Sequence, residues 1–454
     1  MGMSTVSAKS LASWTSDLLA RLPAPSGPLA AVQGRGRGAL AALQGPSRRQ
    51  EAWRFTDLAL LAGLNLNPSP ALSSGFDTDG AAANGAGTDG VALPGTSQSG
   101  PDILRLKLDG GSDPLAGVVL PAGVSPLSES ELVLALGHTL AATGCEQHWP
   151  VELNHASASQ LLALRIASRS QVSLELVSDA AAELRPLRVL LILEEKAQLQ
   201  LCQRLTATGA GLTSLVLEAH LGRGARLEHG LVALGHPGAG LLAHLALEQE
   251  PESHVSLVAV SAGWGVSRLE PRIVQVDGSA TTTLRGLQVV AGDQIADTHS
   301  HMAFGGPEGQ LDQLHKAVAD GRGRSVFNGA VRVPRAAQRT NAAQLSRSLL
   351  LSDRARIDTK PELEIVADDV RCAHGATVSC LQLDELFYLQ SRGIAADQAS
   401  ALLKRAFCEE VLRELPAAAR RWCPFESLLA AHGADAGPAT AVESGRDDLE
   451  GEGA

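Results

Sequence analysis

The feature that most constrains the fold is a long succession of short apolar segments within residues 103–370. Apolar and polar residues alternate in them, as in LRVLLILEEKAQLQL and HVSLVAV, and this two-residue period is typical of β-strands. Separators such as GRGAR, PESH and DGRGR recur at irregular intervals of roughly 12 to 30 residues. Between them lies no helical segment long enough for βαβ crossovers. A sandwich, a barrel and a β-solenoid are all open, and the irregular spacing and small-residue turns favour the solenoid.

The composition favours the same choice. The chain of 454 residues is 44% hydrophobic but only 3% aromatic, so its core must be aliphatic. Such thin cores suit stacked, repetitive β-architectures. A chain of this length also exceeds what one compact core usually serves, so we expect two or three structural units.

Helical patterns flank the strand-rich part. In the first, Trp53, Leu58 and Leu61 recur at near-helical intervals, and in the second one apolar face runs from Ala399 to Leu415. The second helical part suits either a docking surface or a cap over the open end of a solenoid. We divide the chain into an N-terminal helical region (1–65), a flexible insertion rich in Gly, Ala, Ser and Asp (66–102), a β-helix core (103–382), a C-terminal helical domain (383–432) and a disordered acidic tail (433–454).

Charge and cysteine usage exclude several classes of protein. The net charge of −11 argues against nucleic acid as a main partner, because phosphate contacts need clustered Lys and Arg. The first twenty residues do not have the pattern of a secretory signal, and no run approaches the roughly 18 apolar residues of a membrane span. Six scattered cysteines form no CxxC pair. We therefore expect a soluble, cytoplasmic protein with reduced thiols.

The chemistry candidate that stands out is Cys372 with His374, in DVRCAHGAT. On a strand, residues two apart point to the same face, with Cα atoms about 7 Å apart. Thiolate and imidazole suit iron, copper, zinc or persulfide chemistry. Two ligands are too few for a closed metal site, so the missing ones would come from another chain. The alternative is a small buried Cys beside a turn, with the His hydrogen-bonded to backbone. Cys380 could add a third ligand.

Other motifs do not assemble into a site. His299, His301 and His315 lie close in sequence, but no Cys or carboxylate follows at typical ligand spacing, so exposed strand histidines are the favoured interpretation. The Gly-Arg stretches do not match a phosphate loop, and no GxSxG or HExxH motif is present. The chain has no self-sufficient catalytic constellation, so we expect a protein that is not an enzyme.

Residues 358–377 carry a strong family resemblance. This block, DTKPELEI followed by ADDV and CAHGAT, resembles the SufB/SufD family of iron–sulfur cluster assembly scaffolds, and its SufD members in particular. LFYLQSRGI and the helices after it also resemble that family, and EAWRFTDL does so more weakly. The resemblance covers residues 160–415 well, whereas the glycine-rich insertion is unlike the family core.

The resemblance implies a right-handed parallel β-helix with helical regions at both ends, in a non-catalytic subunit of the SUF system. It implies pairing with a SufB-like subunit through the β-helix, and a transient iron–sulfur cluster at that interface but no cofactor in the isolated chain. His374 would be the cluster-site residue and Cys372 its companion. A SufC-like ABC ATPase would bind the C-terminal helices through Leu403, Ala406, Phe407 and Val411. When alone, the chain is expected to be able to form a homodimer.

Two other classes of solenoid protein fit the sequence less well. A β-helix carbohydrate-active enzyme usually needs aromatic platforms and grouped acids, whereas this chain has one Tyr and seven Phe. A hexapeptide-repeat acyltransferase needs a strict six-residue aliphatic period, which these strands do not sustain. The carbohydrate-active enzyme is kept as the alternative function.

Overall fold

The structure is a computed structural model that describes residues 11–43, 45–64, 67–68, 103–423, 425 and 428. The expected flexible insertion (apart from residues 67 and 68) and the expected acidic tail lie outside these residues. The helices are α1 (Leu11–Arg21), α2 (Ala30–Ala42), α3 (Ala59–Ala62), α4 (Glu129–Ala135), α5 (His138–Ala142), α6 (Trp149–Ser157), α7 (Leu383–Ser391), α8 (Ala396–Leu412) and α9 (Ala417–Arg420), with 3₁₀-helices at Gly27–Leu29 and Glu51–Trp53.

Most of the chain is β-structure. The strands are β1 (Asn67–Pro68), β2 (Ile103–Lys107), β3 (Val124–Pro126), β4 (Leu162–Ile166), β5 (Gln171–Ala180), β6 (Glu183–Leu193), β7 (Gln198–Ala207), β8 (Leu212–Leu221), β9 (Arg226–Leu234), β10 (Gly240–Gln249), β11 (His254–Ala262), β12 (Val266–Gln275), β13 (Thr281–Val290), β14 (Ile295–Phe304), β15 (Gln310–Ala319), β16 (Arg324–Val333), β17 (Asn341–Leu350), β18 (Arg356–Ile365) and β19 (Arg371–Ser379).

Successive strands alternate between two sheets. The even-numbered strands from β4 to β18 form sheet A and the odd-numbered strands from β5 to β19 form sheet B, all in parallel. Val266 lies beside Gly240, and Arg356 lies beside Arg324, so one turn of the coil takes from 26 to 32 residues. The result is a β-solenoid of about eight turns. The predicted parallel β-helix with helices before and after it is confirmed, and its predicted right-handed winding is the rule for parallel crossovers.

The corner from sheet A to sheet B repeats one strained conformation. Two residues before each of β5, β7, β9, β11, β13, β15 and β17, the backbone φ is positive: these residues are Arg169, Lys196, Gly224, Glu252, Ser279, Glu308 and Arg339. Only one of them is glycine, so the others lie in a region that costs L-residues roughly 1 kcal/mol or more each. Their amides donate hydrogen bonds to the next corner, as from Lys196 to the Arg223 carbonyl (2.9 Å). Stacking of the corners therefore offsets the strain.

The interior of the solenoid is aliphatic, as the composition predicts. Val189, Leu217 and Leu245 lie side by side on three successive strands of sheet A and are fully buried. Burial of such side chains stabilises the fold by about 1.5–3 kcal/mol each. Such rows of stacked aliphatic side chains repeat from turn to turn. Together they make a large core although the chain has few aromatic residues.

Helices cover the outer faces of both sheets. Trp14 and Trp149, from the N-terminal part, pack with Leu212 and Leu242 on sheet A. On the other side, helix α8 packs on sheet B through residues that include Val411. The C-terminal helices therefore lie along a face of the solenoid and do not cap its end, contrary to one sequence interpretation. None of the helices in the described ranges has the length and apolar character needed to cross a bilayer.

Three helices interrupt the region assigned from sequence to the β-helix core. Helices α4, α5 and α6 all fall within residues 103–382, ahead of the inner strands. Helix α6 is buried over nearly its whole length, so it has no polar face that would produce a helical period in the sequence. Helix α4 begins at a capping box, in which Ser128 and Glu131 bond reciprocally to each other's backbone N–H.

Candidate functional site at the open end of the solenoid

The two ends of the solenoid are built differently. At the N-terminal end, the short strand β3 runs antiparallel beside β4 and ends the parallel order of sheet A. At the C-terminal end, β18 and β19 are the last strands of their sheets, and each pairs with one neighbour in the part of the chain that the structure describes. Their second edges thus present backbone N–H and C=O groups, a template for pairing with another chain.

Apolar side chains are exposed at the same end. Ile365 is 40% exposed at the end of β18, Val366 directly after it is 53% exposed, and Val378 on β19 is 52% exposed. Most residues of both strands are partly or fully exposed, whereas the preceding strands alternate with buried positions. A strand edge with apolar residues around it is an expected interaction surface. We call this surface, made by β18, Val366 and β19, the open end.

Cys372 and His374 both lie on β19 and belong to the open end. Cys372 is placed beside Ala342 on β17, and His374 is placed beside Gln344. Ala342 belongs to the interior core, and Cys372 packs against that core. Because side chains two apart on a strand share a face, His374 also stands on the inward side, at the mouth of the solenoid, where it is exposed.

The chemistry available at this mouth is incomplete. Burial raises the pKa of the Cys372 thiol, an effect that a hydrogen bond with the Ala342 backbone partly offsets. Since the thiolate is the form that ligates metals and attacks sulfur, the isolated chain holds this cysteine mainly as the neutral thiol near pH 7. A cation or a partner's positive charge would be needed to favour the thiolate. One thiol and one imidazole remain half of a four-ligand set.

Cys380 does not complete this pair. With a rise of about 3.3 Å per residue, Ser379 lies about 23 Å along β19 from Cys372. Cys380 follows Ser379, is exposed, and its carbonyl accepts a hydrogen bond from Gln382 Nε2 (3.1 Å). The idea that Cys380 adds a third ligand to Cys372 and His374 is therefore wrong, because the extended strand separates the two thiols.

The predicted ATPase-binding residues of α8 differ in accessibility. Ala406 is exposed and Leu403 is partly buried. Phe407 is also partly buried, and its carbonyl accepts a hydrogen bond from Lys316 Nζ on sheet B (2.8 Å). Val411 is 0% exposed and packs against sheet B. Val411 thus attaches α8 to the solenoid and offers no surface to a partner while that packing holds.

Exposed apolar side chains lie on α7 and on the first half of α8, two helices that contact each other. They belong to Leu383 (75% exposed), Phe387 (72%), Tyr388 (58%) and Leu402 (47%). We call the surface that they form the α7–α8 surface. Three of these residues belong to α7, which has no buried residue. Sequence reasoning noticed LFYLQSRGI as a family motif but did not identify these side chains as an exposed surface.

The three clustered histidines do not converge on a metal. His299 Nε2 lies 3.0 Å from Asp297 Oδ1 on the outer face of sheet A. His315, by contrast, stacks on the Phe327 ring with centroids 4.3 Å apart and is 2% exposed. Burial lowers the pKa of His315 to about 3 and that of His301 to about 4. The interpretation as exposed strand histidines is wrong for His315, which is a neutral, buried side chain.

One cluster of ligand-type side chains escaped sequence reasoning. His148, His244 and Glu270 bring their ligand atoms within 4.8 Å of one another, and no other group of three or more such residues does so in the described ranges. The cluster lies on the outer face of sheet A, far along the chain from Cys372 and His374. His244 and Glu270 are adjacent in the β10–β12 register. The only sign of this pair in the sequence is that the two residues are one turn of the solenoid apart.

Comparison with known proteins identifies similar chains over most of the length. A family described as SUF system FeS cluster assembly, SufBD core domain, matches residues 176–407. An iron–sulfur cluster assembly SufBD family protein of Synechocystis is 33% identical over 84% of this chain and 86% of its own length. The chloroplastic protein ABCI7 of Arabidopsis thaliana is 30% identical over 89% of this chain and 86% of its own. The iron–sulfur cluster assembly protein SufD of Escherichia coli is 34% identical over 42% of this chain and 45% of its own.

Proposed function

Because the chain belongs to the SufBD family of iron–sulfur cluster assembly proteins, we propose that it is a non-catalytic, SufD-like scaffold subunit. Its role in iron–sulfur cluster assembly follows from the family. The proposal adds that the open end pairs with a SufB-like subunit and that the α7–α8 surface binds a SufC-like ABC ATPase. The observation that carries it is the uncovered last turn of the solenoid, which places Cys372 and His374 at an exposed strand edge.

Pairing at the open end uses the backbone as well as side chains. A strand of another solenoid can add to the free edge of β18 or β19, with main-chain hydrogen bonds for affinity and side-chain pockets for specificity. Ile365, Val366 and Val378 would then be covered by the partner. Cys372 and His374 would face ligands of the partner, and a transient cluster, the cargo of the complex, would form between the two chains. Without that subunit, a second copy of this chain would take the same end.

In this proposal the ATPase binds a different surface. The α7–α8 surface is apolar and exposed, whereas the opposite side of α8 is fixed to sheet B. Lys316 pairs with Glu410 on that fixed side, and its ammonium lies 4.2 Å from the Phe407 ring centroid. A force applied to α7 and α8 by an ATPase would therefore reach the solenoid through a firm attachment.

The compartment and the absence of catalysis are part of the same proposal. All six cysteines are free, which suits a reducing compartment such as the cytoplasm. The exposed large aromatic side chains in the described part of the chain, Phe387 and Tyr388, lie on α7 and not on the solenoid. The carbohydrate-active alternative gains no support, since a sugar platform needs aromatic rings on the β-surface.

The test is to co-express the chain with SufB-like and SufC-like subunits and reconstitute clusters anaerobically. We expect the three chains to co-purify and the complex to acquire iron and sulfide, while the isolated chain acquires neither stably. Failure to co-purify with either subunit would contradict the proposal, and so would a stable, stoichiometric cluster on the isolated chain.

A further inference from the structure

A buried charged cluster joins the N-terminal part of the chain to the outer face of sheet A. His244 on β10 and Glu270 on β12 are direct neighbours in the parallel register. His148, at the start of α6, approaches them from the covering helices. His244 is 1% exposed and Glu270 is 2% exposed, whereas His148 is half-buried. These residues play no part in the open end or the α7–α8 surface.

The distances from Glu270 to the two histidines match a tetrahedral metal site. His244 Nε2 lies 3.1 Å from Glu270 Oε2, and His148 Nδ1 lies 3.3 Å from the same oxygen. Metal–ligand bonds of 2.0–2.1 Å in tetrahedral geometry put neighbouring ligand atoms about 3.3 Å apart. The two imidazole rings meet nearly at right angles, with centroids 5.7 Å apart. The cluster therefore has the dimensions of a two-histidine, one-carboxylate site.

His244 is a buried polar side chain that is incompletely hydrogen-bonded inside this cluster. Among the described residues its Nδ1 has no hydrogen-bond partner, and its Nε2 faces only the Glu270 carboxylate, in a geometry that does not form a regular hydrogen bond. The indole Nε1 of Trp149, in the same wall, also has no partner. A buried imidazole without partners is costly, and most such groups in native proteins are satisfied by protein, water or an ion. An ion between His244 and Glu270 would satisfy Nε2.

A second layer of contacts fixes the carboxylate. Arg268 Nε donates to Glu270 Oε1 (2.5 Å), which leaves Oε2 directed to the two imidazoles. Arg268 is itself held by Asp297 Oδ2 (2.7 Å) and by the carbonyl of Ala52 (2.8 Å). Hydrogen bonds of this kind orient the side chains that bind the metal in metal sites.

The cluster has room for a further ligand and a route to solvent. A cavity of about 270 Å³ is lined by residues that include His148, Glu270, Arg268, Trp53 and Trp149. This volume holds several water molecules, so one can take a fourth ligand position. Two histidines, one glutamate and a water form a known zinc ligand set, and two histidines with one carboxylate also suit ferrous iron.

We propose that His148, His244 and Glu270 bind one divalent first-row transition-metal ion, with water as the fourth ligand, and that this ion links the start of α6 to sheet A. The site is independent of the cluster-assembly function proposed above. It departs from the expectation that no complete metal site lies within the chain. The ion would be a resident of this chain, unlike the transient cluster at the open end.

The test uses the full chain, stripped with a chelator and titrated with Co²⁺ and Zn²⁺. To remove competing sites at the open end, the titration is done in a C372S, H374A, C380S background. We expect one Co²⁺ per chain, visible d–d bands and no thiolate charge-transfer band. His148→Gln should weaken Co²⁺ binding by about tenfold or more and abolish the rise in Tm that Zn²⁺ causes. His148 is the least buried ligand, so this variant is the one expected to fold.

The matched control is His138→Gln, because His138 is also an N-terminal histidine beside a sheet A carboxylate, Glu248, but is 61% exposed at its side chain. It should bind Co²⁺ as the parent does. Absence of stoichiometric Co²⁺ binding, or equal binding by the parent and His148→Gln, would overturn the proposal. X-ray absorption of the Zn²⁺-loaded chain in the same C372S, H374A, C380S background needs no ligand variant: a nitrogen and oxygen shell is expected, and a sulfur shell would overturn the assignment.

Discussion

His374 lies directly beside Gln344 in the register of β17 and β19, yet Gln344 is 4% exposed and His374 is exposed. The two residues occupy the same inward column of sheet B. Gln344 is covered because the next turn follows it, and it donates a hydrogen bond to Gln313 one turn back (2.9 Å). His374 is in the last turn, and the described part of the chain has no turn beyond it. A partner that continues the solenoid would bury His374 as β19 buries Gln344.

We predict that His374→Ala sharply lowers the cluster yield of the assembled complex and leaves folding intact. An exposed edge position contributes little to stability, so the free energy of unfolding should change by less than about 0.5 kcal/mol. Anaerobic reconstitution measures the first quantity and chemical denaturation of the isolated chain measures the second. His236→Ala is the control, because His236 is exposed on a distant turn. Lost stability with an unchanged yield would show that His374 is only structural.

We predict that Phe387→Glu abolishes co-purification with the ATPase. Phe387 is 72% exposed on α7, so the change places a charge in the apolar α7–α8 surface without disturbing a core. The control is Val133→Glu, because Val133 is 82% exposed on α4, which lies between β3 and β4 and is not part of the α7–α8 surface. Co-purification should survive in that control. If Phe387→Glu retains the ATPase, the surface is not the docking site.

Much of the solenoid could be predicted, because its signal is local. The alternation in residues 187–201 corresponds to the end of β6 and the beginning of β7, with the connection between them. The family resemblance drawn from residues 358–377 is confirmed by the match to the SufBD core domain. The cluster of two histidines and a glutamate could not be predicted, because it depends on contacts between residues that are distant in the sequence. His148 meets His244 and Glu270 only because α6 lies on sheet A, and the turn length varies too much for a fixed repeat to reveal the pair.

The C-terminal helix shows a second limit. The apolar face of α8 in the sequence predicts that another surface covers it, and the structure shows part of it covered. The sequence could not tell whether its own sheet or another protein covers it, because both present the same aliphatic surface. In the structure, Val411 and Leu412 are covered by sheet B, whereas Leu402 is 47% exposed. One amphipathic helix therefore has a side that sheet B covers and an exposed apolar residue, Leu402, on the rest of its surface.

We predict that Val411→Ala lowers the free energy of unfolding by roughly 1–3 kcal/mol, since it removes two buried methyl groups and leaves a cavity against sheet B. Thermal and urea unfolding measure this change. Leu402→Ala is the matched control on the same helix: it should alter stability by less than about 0.5 kcal/mol and instead weaken ATPase binding. A stability loss in Leu402→Ala equal to that in Val411→Ala would mean that both sides of α8 are fixed to the solenoid.

The attachment of α8 should also depend on pH through Glu410. Its hydrogen bond with Lys316 holds the pKa of the Glu410 carboxyl below its ordinary value of 4.5, against the effect of burial. A carboxyl whose pKa is lower in the folded state contributes stability above its unfolded pKa and loses it as the pH falls through the folded pKa. Acidification from about pH 6 to about pH 3 should therefore loosen α8 from sheet B.

Hydrogen exchange of the α8 amides measures that loosening directly. We expect faster exchange in α8 at low pH, after correction for the intrinsic rate, while the inner strands such as β8 and β10 stay protected. In Glu410→Gln, α8 should exchange faster already at neutral pH and show a smaller further change on acidification. Glu409→Gln is the control, because Glu409 is the adjacent carboxylate on the same helix. An unchanged pH response in Glu410→Gln would show that other groups, and not the contact with Lys316, govern the attachment.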